Sequence, residues 1–347
     1  MRVLITGNLG YVGSYLTDYL SLNPNFEQLI GLDAGWFESC LTDPQGVENS
    51  KLIQLHGDIR SLPDGCLRGI DAVIHLAAVS NDPIGKSFGP ATTEINGDAC
   101  GSVARLAKAA GVKRFIFASS CSLYGAAGDT ERKEDDELNP LTAYAQGKAR
   151  AEGILQSLAV PDFQVCSLRF ATACGWTRRF RSDLVLNDFV LTGLKTGEIR
   201  VLSDGTPWRP LIHVSDMARA IEWAVMRQLD KHNSWCVLNV GHPHMNVRIG
   251  ELATRVAARL SGVEVSINRN ATPDKRSYSV NFSRLKAIAP SAYPRIQLDD
   301  AIEDLCINIT RRMDGFDEGN WPQTVRLKTL ESHVEAGILD ENLRKVG

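Results

Sequence analysis

Short, nearly continuous apolar runs alternate with helical patterns through the first half of this chain of 347 residues. The runs occupy residues 3–5, 29–32, 52–55, 72–75, 115–117 and 164–168. A strand with one solvated face alternates apolar and polar residues, so continuous runs indicate strands that are buried on both faces. Because helices separate the runs, the pattern predicts an α/β fold in which helices cover both faces of a doubly wound parallel sheet.

The pattern becomes looser in the second half of the chain. Strand-like pieces return at residues 199–202, 210–214 and 236–240, and a helical pattern follows at 248–261. We expect a sheet domain over residues 1–173, to which 209–241 return, and a smaller, discontinuous C-terminal substrate-binding lobe over 174–208 and 242–310. The remaining residues, 311–347, are polar and predict a peripheral extension of helices or a tail.

Composition and charge argue against several classes of protein. With 44% hydrophobic and 23% charged residues, the chain has the composition of an ordinary soluble domain. The net charge of −3 gives no electrostatic reason to expect nucleic acid or an anionic membrane as a partner. No apolar stretch approaches the ~18 residues that span a bilayer. The N-terminal residues also lack the pattern of a signal peptide.

The cysteines and histidines do not predict a metal site. The eight cysteines are scattered without a CxxC pair, which is typical of reduced core cysteines and favours a cytoplasmic protein. His213 lies in the apolar stretch "LIHV", where we expect a hydrogen-bonded core histidine rather than a catalyst. The histidines of "GHPH" (241–244) have no Cys or carboxylate partner nearby, so we expect surface residues and no metal.

A glycine-rich turn follows the first apolar run. The stretch "TGNLGYVG" places Gly7, Gly10 and Gly13 between a strand and the start of a helix. Glycines there let the backbone approach a pyrophosphate, and the helix N-terminus supplies free N–H groups. Asp33 closes the second run, where a carboxylate accepts hydrogen bonds from ribose hydroxyls and repels a 2′-phosphate. The pattern predicts a Rossmann domain that binds NAD in preference to NADP.

A tyrosine and a lysine four residues apart follow a serine-rich strand end. In "YAQGK", Tyr144 and Lys148 fall on one face of a helix. An ammonium near a phenol favours the phenolate, so we expect Lys148 to lower the pKa of Tyr144 and make it a base. A partly buried tyrosine beside a lysine with only its charged end in solvent is the alternative. The upstream stretch "ASSCSLYG" (118–125) offers hydroxyl groups to the same site.

Together these stretches resemble the extended branch of the short-chain dehydrogenase/reductase superfamily, over at least residues 1–300. The spacing of the three glycines, "GDIR" (57–60), "HLAA" (75–78), "EINGD" (94–98) and the Tyr-x-x-x-Lys pair carry the resemblance. It implies that Ser120, Tyr144 and Lys148 are catalytic. It also implies a set of NAD-binding residues: Gly7, Gly10, Tyr11, Val12, Gly13, Asp33, Asp58, Ile59, Leu76, Ala77, Ala78, Asn96, Tyr144 and Lys148.

The residues after Ser120 bear on the reaction. In the sugar-nucleotide 4,6-dehydratases of this branch, an aspartate and a glutamate follow the hydroxyl residue and eliminate water. Cys121 and Ser122 stand at those positions here. Elimination needs a general acid and a base, so their absence argues against dehydration. Reversible oxidation of a sugar hydroxyl, as in 4-epimerases and C4 dehydrogenases, is the reaction that the resemblance then implies.

The same resemblance implies residues for a nucleotide diphosphate sugar. Arg209 in "WRPLIHVSD" and Arg276 in "PDKRSY" match arginines that bind the diphosphate, and their planar guanidinium groups suit phosphate oxygens; surface arginines in salt bridges are the alternative. Asn187 would line the nucleotide site, and Ser120 would bind the sugar. Thr172, in "RFAT", replaces a phosphate-contacting asparagine of the epimerases, which argues against a simple UDP-galactose enzyme.

The sequence therefore predicts an NAD-dependent nucleotide-sugar epimerase or C4 dehydrogenase that acts through a keto sugar. Similarity to bacterial enzymes of surface polysaccharide synthesis, among them GDP-heptose C4 dehydrogenases, gives its expected setting. A 4,6-dehydratase, a 4-keto reductase and a non-catalytic NAD sensor are the alternatives. Asp33 argues against a reductase that uses NADPH, and the joint presence of Ser120, Tyr144 and Lys148 argues against the sensor. We expect a homodimer, as in the family.

Overall fold

The computed structural model describes residues 1–43, 49–128, 130–229, 232–271, 276–316 and 324–346. Its strands are β1 (Arg2–Thr6), β2 (Gln28–Asp33), β3 (Leu52–His56), β4 (Ala72–His75), β5 (Arg114–Ser120), β6 (Gln164–Phe170), β7 (Thr172–Cys174), β8 (Glu198–Val201), β9 (Trp208–His213), β10 (Trp235–Val240), β11 (Asn246–Arg248) and β12 (Glu264–Ile267).

The α-helices are α1 (Tyr11–Ser21), α2 (Asp82–Ser87), α3 (Gly89–Thr93), α4 (Cys100–Ala109), α5 (Ala143–Leu158), α6 (Val185–Thr196), α7 (Val214–Met226), α8 (Ile249–Arg259), α9 (Ser283–Ile288), α10 (Leu298–Thr310) and α11 (Arg326–Glu335). A π-helical segment, Glu94–Ala99, joins α3 to α4.

Seven parallel strands form the main sheet, in the order β10-β6-β5-β4-β1-β2-β3. β1 lies between β2 and β4, with Leu4 opposite Ile30 on one side and Val73 on the other. The strand order reverses at β1, and ligands of such sheets bind at this point, beyond the carboxyl ends of the strands. The predicted doubly wound parallel sheet is confirmed.

The buried residues of the sheet divide between its two faces. Val3 and Ile5 belong to a cluster that includes residues of α1 and α7. Leu4, between them on β1, belongs to a second cluster with residues of α4 and α5. Successive side chains of a strand point to opposite faces. This two-sided burial is the reason that the strands read as continuous apolar runs.

A smaller group of elements has a core of its own. α6, α8 and α10 pack around Leu211, Phe180 and Phe316, together with the parallel pair β8 and β12. β9 pairs with β7 and β11 in a separate three-stranded sheet. Within 209–241, which the sequence pattern assigns to the sheet domain, β10 pairs in the seven-stranded sheet and α7 packs in its core, whereas β9 does not pair there. β9 instead joins the two groups of elements.

The C-terminal residues contain a peripheral helix, one of the two forms expected of this extension. In its described part, α11 and the residues after it are anchored on the sheet domain by a few buried side chains. Leu330, Leu339 and Leu343 are buried in the same cluster as Leu4. A few well-spaced leucines therefore anchor a segment whose composition is polar.

Two further features bear on the expected setting. All eight cysteines are unpaired, and seven of them are buried. Among the described residues, no helix combines the length and the hydropathy that a bilayer crossing requires.

Candidate active site

The glycine turn between β1 and α1 forms a tight cradle. Gly7 has a φ of 76°, which L side chains rarely adopt, and a Cβ there would lie 2.6 Å from the backbone nitrogen of Ala77. A Cβ at Gly13 would overlap the carbonyl oxygen of Gly7. The helix then begins at Tyr11 without a side-chain cap, so its first N–H groups face the cavity beyond the sheet. These residues fit the pyrophosphate of a dinucleotide.

Asp33 lies beside this cradle at the end of β2. Its carboxylate accepts hydrogen bonds from the backbone nitrogens of Leu9, at 3.0 Å, and Gly35, at 2.9 Å. Burial raises the pKa of Asp33, and these two hydrogen bonds oppose the rise. Each oxygen keeps a further lone pair for a ribose hydroxyl. Asp33 is therefore held in place by the same loop that shapes the cradle.

A cavity of about 530 Å³ extends from the glycine turn to the smaller lobe. Most of the residues implied by the resemblance line it: Gly7, Gly10, Tyr11, Val12, Gly13, Asp33, Asp58, Ile59, Leu76, Ala77, Ala78, Ser120, Tyr144, Lys148, Thr172, Arg209 and Arg276. Two of them, Asn96 and Asn187, are not on its wall. The structure thus brings the predicted cofactor and substrate residues into one space.

The two asparagines support the cavity from behind. Asn96 is buried in the π-helical segment, and its amide bonds to both the N–H and the carbonyl of Val79, at 2.8 Å each. Asn187 is fully buried, accepts from Gly175 N and donates to Arg181 O. The placement of Asn187 corrects the expectation that it lines the nucleotide site. Both amides hold loops that carry cavity residues.

Ser120 and Tyr144 meet where β5 ends and α5 begins. The Ser120 hydroxyl accepts a hydrogen bond from Ser122 N at 3.1 Å. Thr142 caps α5 by accepting from Ala145 N at 3.2 Å, which places Tyr144 in the first turn. Burial raises the pKa of Tyr144 to about 12, while a hydrogen bond with Ser120 lowers it. The phenol and the hydroxyl are therefore neighbours on the wall of the same cavity.

The pKa of Tyr144 is raised by burial, against the direction expected from the nearby Lys148. The Nζ atom of Lys148 lies 5.9 Å from the centre of the Tyr144 ring and donates to the carbonyl of Ala118 at 2.7 Å. Burial lowers the pKa of Lys148 itself to about 8. Desolvation disfavours the charged form of each group and outweighs their attraction. Burial therefore favours the neutral phenol of Tyr144.

The residues after Ser120 have different surroundings. The Cys121 thiol is fully buried and donates to the carbonyl of Arg169 at 3.1 Å, away from the cavity. Ser122 lines the cavity. Beneath them Arg169 forms a buried ion pair with Glu152 at 2.7 Å. The loop therefore offers a hydroxyl group, but no carboxylate, next to Ser120.

Four carboxylates line the cavity in the described part of the chain, and each has hydrogen-bond donors of its own. Asp33 has its two backbone N–H groups, and Asp58 pairs with Arg60 at 2.6 Å. Asp82 pairs with the guanidinium of Arg276, also at 2.6 Å. Asp183 pairs with Arg181 at 2.8 Å, and, against the effect of burial, this arginine holds its pKa below the usual value.

Arg209 and Arg276 lie together on the cavity wall, in a corner that Asp82, Ser122 and Tyr278 also line. Arg209 donates to the carbonyl of Arg276 at 2.9 Å, and its guanidinium lies 5.7 Å from the centre of the Tyr278 ring. Two guanidinium groups and a phenol in one corner of a cavity suit a phosphate-bearing ligand. Of the stretch "PDKRSY", residues 273–275 lie outside the described residues.

Two arginines of the cavity wall were not predicted. Arg181 donates to the carbonyl of Ser80 at 3.3 Å, and its positive charge lowers the pKa of Tyr144. Arg326 comes from the C-terminal segment and is almost fully buried. The arginine-rich stretch "TRRFR" (177–181) was a usable signal for the first. Nothing local marks the second, which reaches the cavity only because α11 folds back.

The histidines outside the cavity have structural partners. The Nδ1 atom of His213 lies 2.7 Å from Ser215 Oγ, and its Nε2 lies 3.2 Å from Asp304, as expected of a hydrogen-bonded core histidine. His244 is exposed, but His242 is buried beside Tyr293, which corrects the expectation of two surface residues. The described residues contain no cluster of three or more metal-ligating side chains.

Comparison with known proteins shows the family. Residues 3–241 match the model of the NAD dependent epimerase/dehydratase family. The low-salt glycan biosynthesis protein Agl12 of Haloferax volcanii is 26% identical over 87% of this chain and 96% of its own. A UDP-glucose 4-epimerase of Yersinia enterocolitica is 32% identical over 63% of this chain and 71% of its own.

A solved structure agrees with this assignment. MoeE5, in complex with UDP-glucuronic acid and NAD, is 27% identical and superimposes with a TM-score of 0.76. The similarity covers 90% of this chain and all of that one. The chain belongs to the NAD dependent epimerase/dehydratase family, within the extended short-chain dehydrogenases, and is an NAD-dependent enzyme.

Proposed function

We propose that this enzyme oxidises a nucleoside diphosphate sugar reversibly at C4 and acts as an epimerase or a C4 dehydrogenase in glycan synthesis. One observation carries the choice of reaction. The Ser120 hydroxyl and the Tyr144 phenol face the cavity together, whereas the thiol of Cys121 is turned away and Ser122 is neutral. The site has groups to move a hydroxyl proton and lacks, next to Ser120, the carboxylates that elimination requires.

The cofactor would lie along the cavity from Asp33 to Tyr144. The backbone of the glycine turn would hold its pyrophosphate, and Asp33 a ribose. Lys148 lines the cavity on the same helix as Tyr144 and would bind the second ribose. When bound, oxidised NAD supplies the hydride acceptor and a positive charge beside Tyr144.

Tyr144 would take the proton from the sugar hydroxyl, and Ser120 would donate a hydrogen bond to the same oxygen. Positive charge in the cavity would favour the phenolate against the effect of burial. Arg181, whose charge already lowers the pKa of Tyr144, acts in the same direction. The resulting keto sugar either turns over and is reduced on its other face or leaves the site.

Arg209 and Arg276 would bind the sugar nucleotide through its diphosphate. Their place on the wall of the same cavity as Tyr144, beside Ser122 and Tyr278, supports this role. The names of two relatives support the class of ligand, since one is a UDP-glucose 4-epimerase and the other was solved with UDP-glucuronic acid. Thr172 lies on the cavity wall and would contact the substrate.

A 4,6-dehydratase is the main alternative, and Asp82 is the residue that favours it. Asp82 lies on the cavity wall and its charge raises the pKa of Tyr144. Its carboxylate is paired with Arg276, which suits a fixed anion better than a proton donor. A 4-keto reductase that uses NADPH is disfavoured, because the 2′-phosphate of NADPH would lie next to the carboxylate of Asp33. A non-catalytic sensor would not need the three hydroxyl and amino groups of Ser120, Tyr144 and Lys148 in one cavity.

The setting and assembly are proposals that depend more on the family than on the site. We infer a homodimer in the cytoplasm that takes neither nucleic acid nor a membrane as a partner. The eight unpaired cysteines support a reducing compartment. Light scattering of the purified protein would test the dimer, and a monomer at micromolar concentration would contradict it.

The test of the function begins with the protein as purified. One sample is denatured and should release NAD or NADH. A second, native sample is supplied with NAD and incubated with UDP-, GDP-, CDP- and dTDP-sugars. We expect one nucleotide sugar to give a C4 epimer or a C4 keto sugar. Tyr144→Phe is the matched control, since it keeps the ring and loses the base. If no nucleotide sugar is converted while NAD is bound, the proposal fails.

A further inference from the structure

Three buried arginines surround the cofactor end of the cavity. Arg179 donates to the carbonyl oxygens of Phe37 and Glu38, at 2.8 and 2.9 Å. Arg326 donates to the carbonyl of Arg179 at 2.9 Å, and its guanidinium lies 4.9 Å from the centre of the Phe37 ring. Arg181 lies close enough for its charge to act on Arg326. Arg181 and Arg326 both line the cavity.

The C-terminal segment, residues 324–346, delivers Arg326 to this place. Thr324 bonds to Ser182 at 2.7 Å, and His333 bonds to the carbonyl of Trp36 at 2.8 Å. Trp36 and Phe37 follow Asp33 and also line the cavity. The segment therefore closes over the loop after β2, on the side where the adenosine of a dinucleotide lies in such folds.

The far end of the segment is fastened to the same region. Arg60 donates to the carbonyl oxygens of Asn342 and Leu343, at 2.7 and 2.8 Å, while it also pairs with Asp58. Leu339 and Leu343 are buried in the core of the sheet domain. Thus the segment contacts both the Asp33 side and the Asp58 side of the cofactor cleft.

The charges at this end favour an anion. Burial, together with the charges of Arg181 and Arg179, lowers the pKa of Arg326 to about 10, although Cys40 and Asp183 oppose this effect. Asp183 already accepts from two nitrogens of Arg181 and from Asn81. Burying like charges near one another costs free energy, and a phosphate between them would offset part of that cost.

We infer that Arg326 binds the diphosphate of the dinucleotide, and that the C-terminal segment is a clamp that holds the cofactor in place. The glycine turn would contact the diphosphate through backbone N–H groups, and Arg326 would contact it from the part of the cavity wall that the C-terminal segment forms. A guanidinium suits this task, because it offers parallel donors to phosphate oxygens. The inference requires only the cofactor and does not depend on which sugar is converted.

The test compares ligands that share parts of the dinucleotide. Binding of NAD, ADP-ribose, adenosine and UDP is measured by calorimetry on the cofactor-free protein and on Arg326→Gln and Arg326→Met. Arg326→Gln removes the charge but keeps a donor for the carbonyl of Arg179. It therefore remains informative if Arg326→Met fails to fold. Arg259→Gln, at an exposed ion pair of α8, is the matched control.

Arg326→Gln is expected to weaken NAD and ADP-ribose binding roughly 10- to 100-fold, the range for a hydrogen bond to a charged group. Adenosine and UDP binding should stay within about twofold of the wild type, and the dissociation of NAD should become faster. Unchanged affinity for ADP-ribose would overturn the inference. An equal loss of affinity for adenosine would also overturn it, because that result would indicate a structural effect. A loss of affinity for UDP alone would do the same and would assign Arg326 to the sugar nucleotide.

Discussion

The Nζ atom of Lys148 lies 2.7 Å from the carbonyl oxygen of Ala118 and so joins α5 to the strand that ends at Ser120. Ala118 is two residues before Ser120, and Lys148 is one helical turn after Tyr144. This hydrogen bond therefore fixes the phenol relative to the hydroxyl. It also keeps an ammonium group in a buried position, where its pKa falls to about 8.

The buried lysine predicts a dependence of stability on pH. Between pH 8 and about 10.5 the unfolded chain keeps a proton on Lys148 that the folded chain has lost, so the free energy of unfolding rises with pH in this window. The folded pKa is about 8 against a usual 10.5. Relative to Lys148→Met, the free energy of unfolding of the wild type should rise by up to about 3 kcal/mol across this window.

Urea denaturation of both proteins at pH 8 and pH 10 measures the difference. Tyrosines and cysteines that titrate in the same window cancel to a first approximation, because both proteins contain them. A difference between the two proteins that does not change with pH would show that Lys148 is not titrated in this way.

Asp33 should set the choice between cofactors. Its carboxylate is fixed by the N–H groups of Leu9 and Gly35, so a 2′-phosphate there would meet a buried negative charge. The wild type should bind NAD more tightly than NADP, and Asp33→Ala should narrow that preference. Fluorescence titration with NADH and NADPH checks this. Equal affinities in the unmutated enzyme would contradict the role of Asp33.

Arg209→Ala and Arg276→Ala should weaken the binding of the nucleotide sugar far more than the binding of NAD. Each change removes a charge-assisted contact worth on the order of 1.5 to 3 kcal/mol. Calorimetry with the converted nucleotide sugar and with NAD gives the two affinities, and Arg255→Ala, at an exposed ion pair, serves as the control. An unchanged affinity for the sugar nucleotide would show that Arg209 and Arg276 do not bind its diphosphate.

The sequence was sufficient to predict the parallel sheet and the glycine turn that lines the cavity. Strands buried on both faces give apolar runs, and the cradle is built from consecutive residues that include Gly7 and Gly13. Arg181 and Arg326 could not be found in the same way. They reach the same cavity as Asp33 and Tyr144 only through contacts between residues far apart in the chain. The positions of Asn96 and Asn187 likewise depend on which side of an element faces the cavity.

The upward shift of the pKa of Tyr144 could not be predicted for a different reason. A spacing of four residues places two side chains on one face of a helix, but it does not state how deeply they are buried. Desolvation raises the pKa of Tyr144 to about 12, against the direction that a nearby ammonium would give. Burial is a property of the packed fold, to which α5, β5 and the smaller lobe all contribute.

Tyr144→Phe should separate folding and binding from chemistry. The substitution removes the phenol and keeps the ring, so the protein should fold and bind NAD as the wild type does. The rate should fall by roughly 10²-fold or more, the scale of general acid–base catalysis. Single-turnover kinetics with the converted nucleotide sugar measures it. A variant with nearly full activity would require another base.

The mass of the converted nucleotide sugar tests the central claim most directly. The site has Ser120 and Tyr144 for a hydroxyl proton, and Cys121 and Ser122 where elimination would need carboxylates, so the product should keep all its oxygen atoms. Mass spectrometry should show either an unchanged mass, for an epimer, or the loss of two hydrogens, for a C4 keto sugar. The loss of one water would show dehydration and contradict this account of the site.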